Sequence, residues 1–215
     1  MFDSGKQAVS VPLQVTLLLA ALTLLPAVIM SVTPLLRITI VLHFLRQALG
    51  TQSTPSNQVL LGLALFLTSL IMSPVVGEIR EKAWRPLQEG RIGQAEAIEL
   101  SSGPVRTFLL RYTREKDIRL FVEMTKKPPP HTPGDIDLGL LVPAYILSEL
   151  KTGFQIGAVL FLPFLVIDLV VASVTLSIGM VQLPPVMLSA PFKILLFVLV
   201  DGWNLLVGSL MKSFY

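Results

Sequence analysis

The stretch 152–211 constrains the fold of this chain more than any other, because its sixty residues carry only three formal charges. The charges are Asp168, Lys193 and Asp201. Prolines at positions 163, 184, 185 and 191 interrupt the stretch. A single membrane-spanning helix needs only about 20 apolar residues. Because an intramembrane charge costs on the order of 3 kcal/mol, the three charges indicate a packing or assembly surface rather than a simple anchor.

The composition of the whole chain agrees with membrane insertion. Hydrophobic residues make up 53% of the chain and charged residues 14%, whereas an average soluble domain carries about 25% charge. The net charge of +3 is not gathered into a basic patch with interleaved aromatic residues, so nucleic acid is not expected as a partner. Cysteine is absent, which excludes disulfides and thiolate metal sites.

Charge divides the chain into three parts. Twenty-one of the 31 charged residues lie in 78–137, with apolar sequence on both sides. The pattern predicts an all-α, membrane-associated protein. Its parts are an N-terminal apolar helical hairpin over 1–77, a polar and mainly helical insert over 78–137, and a C-terminal apolar helical hairpin over 138–215.

The N-terminal part contains signals for three helical segments. The apolar run 15–30 resembles the hydrophobic part of a signal peptide, but no small-residue cleavage site follows it and the hydrophobic sequence continues to Leu36. It is therefore interpreted as a retained membrane segment. The next helix is predicted over 37–49, ending before Gly50, a residue type favoured just past a helix. Thr54 followed by Pro55 predicts the start of another helix, because threonine caps helices and proline suits the first helical position.

No catalytic or metal-binding motif is present in the sequence. The only histidines are His43, on the polar face of a predicted helix, and His131, in a proline-rich linker. His43 is either a proton relay or part of a solvated helix face, and the second interpretation is favoured. There is no phosphate-binding loop, no H-E-x-x-H and no acidic cluster with metal-ligand spacing. We therefore expect no enzyme activity, no metal and no cofactor.

The isolated charges have two interpretations. In one, Asp168 is the titrating site of a small proton-coupled carrier, because intramembrane charges are functional by default. In the other, Asp168 pairs with Lys193 of the opposite hairpin arm, which offsets the desolvation of both. Asp201 follows Lys193 by eight residues, so its partner is expected elsewhere, with a neighbouring subunit as one candidate. Glu149 and Lys151 point to different sides of a helix and suit a seam between subunits.

The C-terminal hairpin is predicted to have one arm over 140–178, a turn over 179–185 and a single return arm over 190–212. The turn sequence is GMVQLPP, and its proline pair prevents the first arm from continuing as a helix. Met180 is flexible and polarizable, so it either lines an adaptable constriction or lies exposed at an ordinary hairpin tip. The residues alone favour the second interpretation.

Five long segments of the sequence are distinctive. They are ALGTQSTPSNQVLLGLALFLTSLIMSPV (48–75), FLLRYTREKDIRLF (108–121), SELKTGFQIG (148–157), FLPFLVIDLVVASV (161–174) and PFKILLFVLVDGWNLLVGSL (191–210). Together they resemble the FliP family, the flagellar branch of the type III secretion export gates, over nearly all of the chain. Virulence-system relatives share the FKILLFVLVDGW region, whereas NQVLLGLALFLT and TREKD are closer to the flagellar members.

The resemblance implies a specific role. Members of the family assemble as five copies with FliQ and FliR into a closed-tipped helical gate in the bacterial inner membrane, at the centre of the flagellar basal body. Unfolded flagellar subunits pass through its lumen, and the export proteins FlhA and FlhB are further partners. Part of the assembly, including the polar insert, is implied to be periplasmic, and the C-terminal hairpin to line the pore. A virulence-system gate subunit, the proton-coupled carrier and a plain helical membrane scaffold are the alternatives.

The family's motifs also imply roles for individual residues. Subunit contacts are implied at Phe108, Phe121 and Glu149. A gasket that closes the pore is implied in the hairpin turn, where the family sequence is typically GMMMLPP. This chain keeps Met180 but has Val181 and Gln182 at the next two positions. Val181 supplies an apolar group for closure, whereas Gln182 needs hydrogen-bond partners or water.

Overall fold

The computed structural model of the chain describes residues 11–51, 53–125, 132–179 and 184–215. These residues form nine α-helices and no β-strand, which confirms the predicted all-α class. The helices are α1 (Val11–Val32), α2 (Leu35–Ala48), α3 (Asn57–Ile79), α4 (Arg85–Gln88), α5 (Gln94–Tyr112), α6 (Glu115–Met124), α7 (Leu138–Ser177), α8 (Pro185–Leu199) and α9 (Gly202–Lys212). A π-helical turn, Arg80–Trp84, joins α3 to α4, and a 3-10 turn, Pro133–Asp135, precedes α7.

Within the described residues, three helical segments are long and apolar enough to cross a membrane: Pro12–Val32, Asn57–Gln88 and Leu138–Ser177. The bent pair α8 and α9 makes a fourth if it forms one span. α7 has 40 residues, and a rise of about 1.5 Å per residue makes it about 60 Å long. This is about twice the ~30 Å hydrocarbon core of a bilayer, so an upright α7 extends beyond the hydrocarbon.

The breaks between the N-terminal helices follow local chemistry. α2 ends at Ala48, and Gly50 beyond it has φ +71°, a conformation that glycine adopts without strain. α3 begins two residues later than predicted. Its N-cap is Ser56, whose hydroxyl accepts a hydrogen bond from the Val59 amide at 3.4 Å. The prediction of Thr54 as the N-cap is therefore wrong, because Ser56 precedes the first helical residue and caps at least as well as threonine.

The centre of the fold is the contact between α2 and α7, the most extensive helix pair in the described chain. Two glycines of α7 permit a close approach. A Cβ placed on Gly153 would lie 3.1 Å from Ile40, and one placed on Gly157 would lie 2.5 Å from Phe44. Small residues one turn apart allow helices in membranes to pack backbone against backbone. The fully buried α2 residues around this contact are Ile38, Val41, Leu42 and Leu45.

The apolar ends of the chain share this core, because α2 comes from the first part of the sequence and α7 from the last. The polar part adds α5 and α6, both of which pack on α7. One helix, α7, therefore contacts all three parts that the charge pattern distinguishes. The division into three domains stays a prediction.

The C-terminal hairpin differs from the predicted one in its second arm. α7 continues through Pro143 and Pro163 to Ser177, in agreement with the predicted first arm. The return arm breaks after Leu199, and the axes of α8 and α9 differ by 67°. At this corner Asp201 has φ +51°, and a Cβ on Gly202 would lie 2.3 Å from the Phe197 ring. The prediction of a single return arm over 190–212 is wrong, because the left-handed aspartate and the glycine turn the chain.

We expect Gly157→Ala to lower the stability of the detergent-solubilised protein by about 1–3 kcal/mol, because the added methyl group overpacks the α2–α7 contact. Gly62→Ala is the matched control: it also adds a methyl group to a helix, but nothing lies within 4 Å of the new atom. Thermal unfolding followed by helical circular dichroism measures both variants. Equal midpoints for the two would show that α2 and α7 do not need this close approach.

Candidate functional site

A buried ion pair joins α2 to α7. Arg37 Nε donates to Glu149 Oε2 at 3.0 Å, and Arg37 Nη2 donates to Glu149 Oε1, so the pair is bidentate. Arg37 is 4% exposed and Glu149 is fully buried. Two charges taken out of water are stabilised only by good geometry and satisfied hydrogen bonds, and the parallel fork provides both.

The segment after α9 completes the surroundings of Arg37. Its remaining terminal nitrogen, Nη1, donates to the Ser213 carbonyl oxygen at 3.3 Å and to Ser213 Oγ at 3.1 Å. The Arg37 guanidinium carbon lies 3.9 Å from the ring centroid of Phe214, a cation–π geometry. The Tyr112 hydroxyl of α5 donates to the Phe214 carbonyl oxygen. The charge of Arg37 on α2 is therefore surrounded by residues from α5, α7 and the segment after α9.

Tyr145 lies one helical turn before Glu149 and is fully buried. Its ring packs against Phe108, with 6.1 Å between the ring centroids. Its hydroxyl group has no hydrogen-bond partner among the described residues. A buried aromatic pair therefore lies one helical turn from Glu149.

A second polar cluster attaches the start of α6 to α7. Ser148 Oγ donates to Asp117 Oδ2 at 2.6 Å and accepts from the Arg114 amide at 3.1 Å. The Arg114 side chain also reaches Thr152 Oγ1 at 3.0 Å. Asp117 is 5% exposed and Ser148 is fully buried. The charged insert is therefore held on the apolar helix by satisfied polar groups rather than by apolar packing alone.

A third polar cluster joins the arms of the C-terminal hairpin. Lys193 Nζ lies 2.6 Å from Asp168 Oδ2, and Ser189 Oγ donates to Asp168 Oδ1. The Lys193 side chain is 1% exposed and that of Asp168 is 21% exposed. The structure thus contains the pairing of the second interpretation considered above, between Asp168 and Lys193 on opposed arms of the hairpin. Both carboxylate oxygens of Asp168 are engaged within the chain.

The predicted subunit-contact residues lie at different depths. Phe108 is 7% exposed and packs inside the chain against Tyr112 and Tyr145. Within the chain, Arg37 occupies both carboxylate oxygens of Glu149, and the subunit contact implied for Glu149 stays a prediction. Phe121, on α6, is half-buried and keeps surface available for a neighbour.

The remaining predicted residues fall into three groups. Asp201 is exposed in the single chain and accepts a hydrogen bond from Asn204 Nδ2 at 3.2 Å; its expected burial against a partner outside the hairpin stays a prediction. Its position at the α8–α9 corner explains the exposure. His43 is exposed beside Arg46 and Gln47, on a solvated helix face. The gasket residues Met180, Val181 and Gln182 lie outside the described residues, as does His131.

Arg37 is the central residue that the sequence analysis missed. It is the single charged residue between positions 7 and 45. Like Asp168 and Lys193, Arg37 is an isolated charge in an apolar stretch, which marks it as a candidate functional residue on the same ground. The sequence pattern therefore marked Arg37 as an unusual charge. It did not reveal that its partner is Glu149, 112 residues away.

The second half of α7 and all of α8 carry exposed apolar side chains on several faces. Those of α7 include Val159, Leu162, Val166, Leu169, Val170 and Val174, and those of α8 include Met187, Phe192, Leu195, Val198 and Leu199. A groove of about 580 Å³ runs between the two helices, and valine, isoleucine, leucine and phenylalanine side chains dominate its lining. α1 is likewise exposed along most of its described length. These surfaces need lipid or protein to cover them.

No group of three or more histidine, cysteine, aspartate or glutamate side chains is placed to hold a metal ion in the part of the chain that the structure describes. The polar groups of the three clusters are used to join helices. The fold and its charge pattern therefore define a helical, membrane-associated protein with large unpartnered apolar surfaces.

Comparison with known proteins assigns this chain to a family. A sequence model of the FliP family matches residues 18–210. The flagellar biosynthetic protein FliP of Pectobacterium carotovorum is 50% identical over 212 residues, which cover 99% of this chain and 82% of the relative. The Bacillus subtilis protein of the same name is also 50% identical over 212 residues, covering 99% of this chain and 96% of the relative. The chain therefore belongs to the FliP family, a membrane protein family of flagellar biosynthesis.

We expect Arg37→Met to lower the stability of the purified protein by about 3–5 kcal/mol, because it leaves the Glu149 carboxylate buried without its partner. The double variant Arg37→Met, Glu149→Leu removes both charges and should recover most of the loss. Arg119→Met is the control, because it breaks an exposed ion pair with Glu115, and such pairs contribute little. Thermal unfolding in detergent measures all three. A double variant as unstable as Arg37→Met would show that the charges themselves are not what matters.

Proposed function

We propose that this chain is a pore-forming structural subunit of the flagellar type III protein export gate. In this proposal it acts without catalysis, and several copies build a channel through which unfolded flagellar subunits cross the bacterial inner membrane. Membership of the FliP family supports the flagellar, export-related part of the role. The formation of a channel is the more specific claim, and its best support is the structure of the C-terminal hairpin.

The observation that carries the proposal is the unpartnered apolar surface of α7 and α8. Side chains on several faces of this hairpin are exposed, including Val166 at 59%, Phe192 at 59% and Leu199 at 73%. α7 is also about twice as long as the bilayer hydrocarbon is thick. Lipid therefore does not cover the whole length of an upright hairpin. In the proposed assembly, neighbouring copies of the chain cover the rest of its apolar surface.

Polar residues within the hairpin support a protein-lined environment. Asp168, Ser189 and Lys193 form a satisfied cluster between the arms, and Pro163 and Pro191 lie inside the two helices. Such groups are costly against lipid but acceptable against protein or a water-filled lumen. A hairpin of this kind suits the wall of a channel.

The proposal includes an assembly and a location. Five copies join FliQ and FliR in the inner membrane at the flagellar basal body, with FlhA and FlhB as further export partners. The polar insert lies on the periplasmic side together with part of the assembly. Phe121 provides a direct subunit contact. Phe108 and Glu149, which are buried within the single chain, are the other two proposed subunit-contact residues.

The carrier alternative has less support. It needs the Asp168 carboxylate to be available to a transported proton, whereas Lys193 and Ser189 occupy both of its oxygens. The virulence-system alternative also has less support, since the relatives described above bear the name of a flagellar biosynthetic protein.

The stoichiometry of the purified complex tests the proposal. We expect the chain, extracted in mild detergent together with its export partners, to form particles that contain about five copies, because the exposed hairpin surfaces are covered by identical neighbours. Native mass spectrometry gives the copy number. A detergent-stable monomer that moves protons with a small solute would overturn the gate and support the carrier.

Closure of the channel by Met180, Val181 and Gln182 is a further part of the proposal. Replacing all three with glycine removes the side chains that would fill the constriction, so we expect vesicles containing the assembled complex to become leaky to small ions. A dye-release or conductance assay measures the leak. Glycine at the exposed positions Glu89 and Arg91, on either side of Gly90 in the loop after α4, is the control. Unchanged permeability of the 180–182 variant would remove this turn from the closure mechanism.

A further inference from the structure

The first half of the polar insert contains an open apolar groove, here called the insert groove. Its volume is about 440 Å³, and its walls are formed by residues 79–87 and by the first two turns of α5. Most of the side chains that line it are apolar, and two of the largest lie at its rim. Trp84 is 56% exposed and Ile98 is 73% exposed. Large apolar side chains exposed in so charged a segment indicate a contact site for another protein surface.

The outer face of α6, defined by Lys116, Leu120 and Met124, is a second exposed apolar surface of the insert. These three residues recur every four positions and therefore lie on one side of the helix. Leu120 is 46% exposed and Met124 is 70% exposed. The opposite side of α6 contains the buried Asp117 and packs on α7. The outer face thus lacks a cover and ends in methionine, a side chain that adapts to irregular apolar surfaces.

The insert groove and the outer face of α6 lie at opposite ends of α5. The groove uses the start of this helix, whereas α6 begins at Glu115, just after α5 ends at Tyr112. With 19 residues, α5 is about 28 Å long. α6 packs chiefly on α7, and the groove of the same chain stays open. Two different surfaces at the two ends of one helix are what a head-to-tail contact between identical copies requires.

The charges beside the two surfaces are complementary. Beside the groove, Glu99 follows Ile98 on α5, and Arg80 begins the π-helical turn. On α6, Lys116 lies in the first turn and Glu123 in the last. Glu99, Lys116 and Glu123 belong to no ion pair within the described chain, and Arg80 pairs only with its exposed neighbour at position 81. Lys116 can therefore meet Glu99 while Glu123 meets Arg80, which selects one direction of α6 across the groove.

We propose that the insert groove of one copy receives the outer face of α6 from the next copy around the channel. This inference rests on the proposed assembly of several copies and identifies the surfaces by which their polar inserts join. Leu120 and Met124 fill the groove between Trp84 and Ile98. Because the contact is head to tail, each copy gives its α6 to one neighbour and receives α6 from the other.

Disulfide cross-linking tests this contact, because the chain has no cysteine of its own. Ile98→Cys and Met124→Cys, combined in the full-length chain and assembled with its export partners, place one thiol on each surface of every copy. Oxidation should then link each copy to two neighbours and give a ladder of bands beyond the dimer on a non-reducing gel. Either cysteine alone should give no band above the dimer, because like surfaces do not meet.

Glu115→Cys combined with Ile98→Cys is the matched control. Glu115 is also exposed on α6, but it lies about 13 Å from Met124 along the helix axis. Since the Cα atoms of a disulfide are less than about 7 Å apart, this pair should give no ladder.

Native mass spectrometry of the parent complex separates this inference from the proposed function. A parent complex of about five copies, together with a double-cysteine variant that assembles but gives no ladder, would overturn the contact and leave the gate unaffected. A parent chain that stays monomeric would overturn both.

Charge reversal keeps the test decisive if the cysteine variants assemble poorly. Lys116→Glu should lower the yield of assembled complex by about 2–5-fold, because it places two acids opposite each other. Adding Glu99→Lys should restore the yield. Lys212→Glu is the control, because it reverses an exposed charge at the end of α9, outside the insert. A double variant that assembles no better than Lys116→Glu would overturn the pairing of these two surfaces.

Discussion

The pairing of Arg37 with Glu149 is the interaction on which the rest of the structure depends. It joins the second helix to the seventh, and residues from α5 and from the segment after α9 complete its surroundings. Neither charge is tolerable alone in so apolar a place. The position of one helix therefore determines that of the other, and the glycines of α7 set how closely they approach.

Two other buried polar clusters also join helices of this chain. Asp117 and Ser148 join the charged insert to α7, and Asp168 and Lys193 join the hairpin arms. Apolar helices slide past one another with little change in contact area, so apolar burial alone specifies their register weakly. A bidentate or hydrogen-bonded polar group is satisfied in one register only. We infer that these clusters specify alignment as much as they stabilise it, a role attested for buried polar groups in some other proteins.

Much of this fold was predictable from the sequence, for reasons that particular residues illustrate. The arms of a hairpin lie side by side, so the approach of Asp168 to Lys193 followed from chain order. Glu149 has its partner in a different part of the sequence, and the isolated charge of Arg37 did not reveal which helix it would meet. The corner at Asp201 was missed because apolar sequence continues on both sides of it, although the pair Asp201–Gly202 is a turn signal. The shift from Thr54 to Ser56 is a choice between two adequate caps.

The distance along the chain between Arg37 and Glu149 has a consequence for biosynthesis. The two residues are 112 positions apart, and ribosomes add about 5–20 residues per second, so Arg37 waits roughly 6–22 s for its partner to be made. During that time its charge is best left in water or at the membrane surface, because the hydrocarbon penalises it by about 3 kcal/mol. The second helix therefore settles late, although it is synthesised early. A single side chain thus makes the order in which the helices pack differ from the order in which they are synthesised.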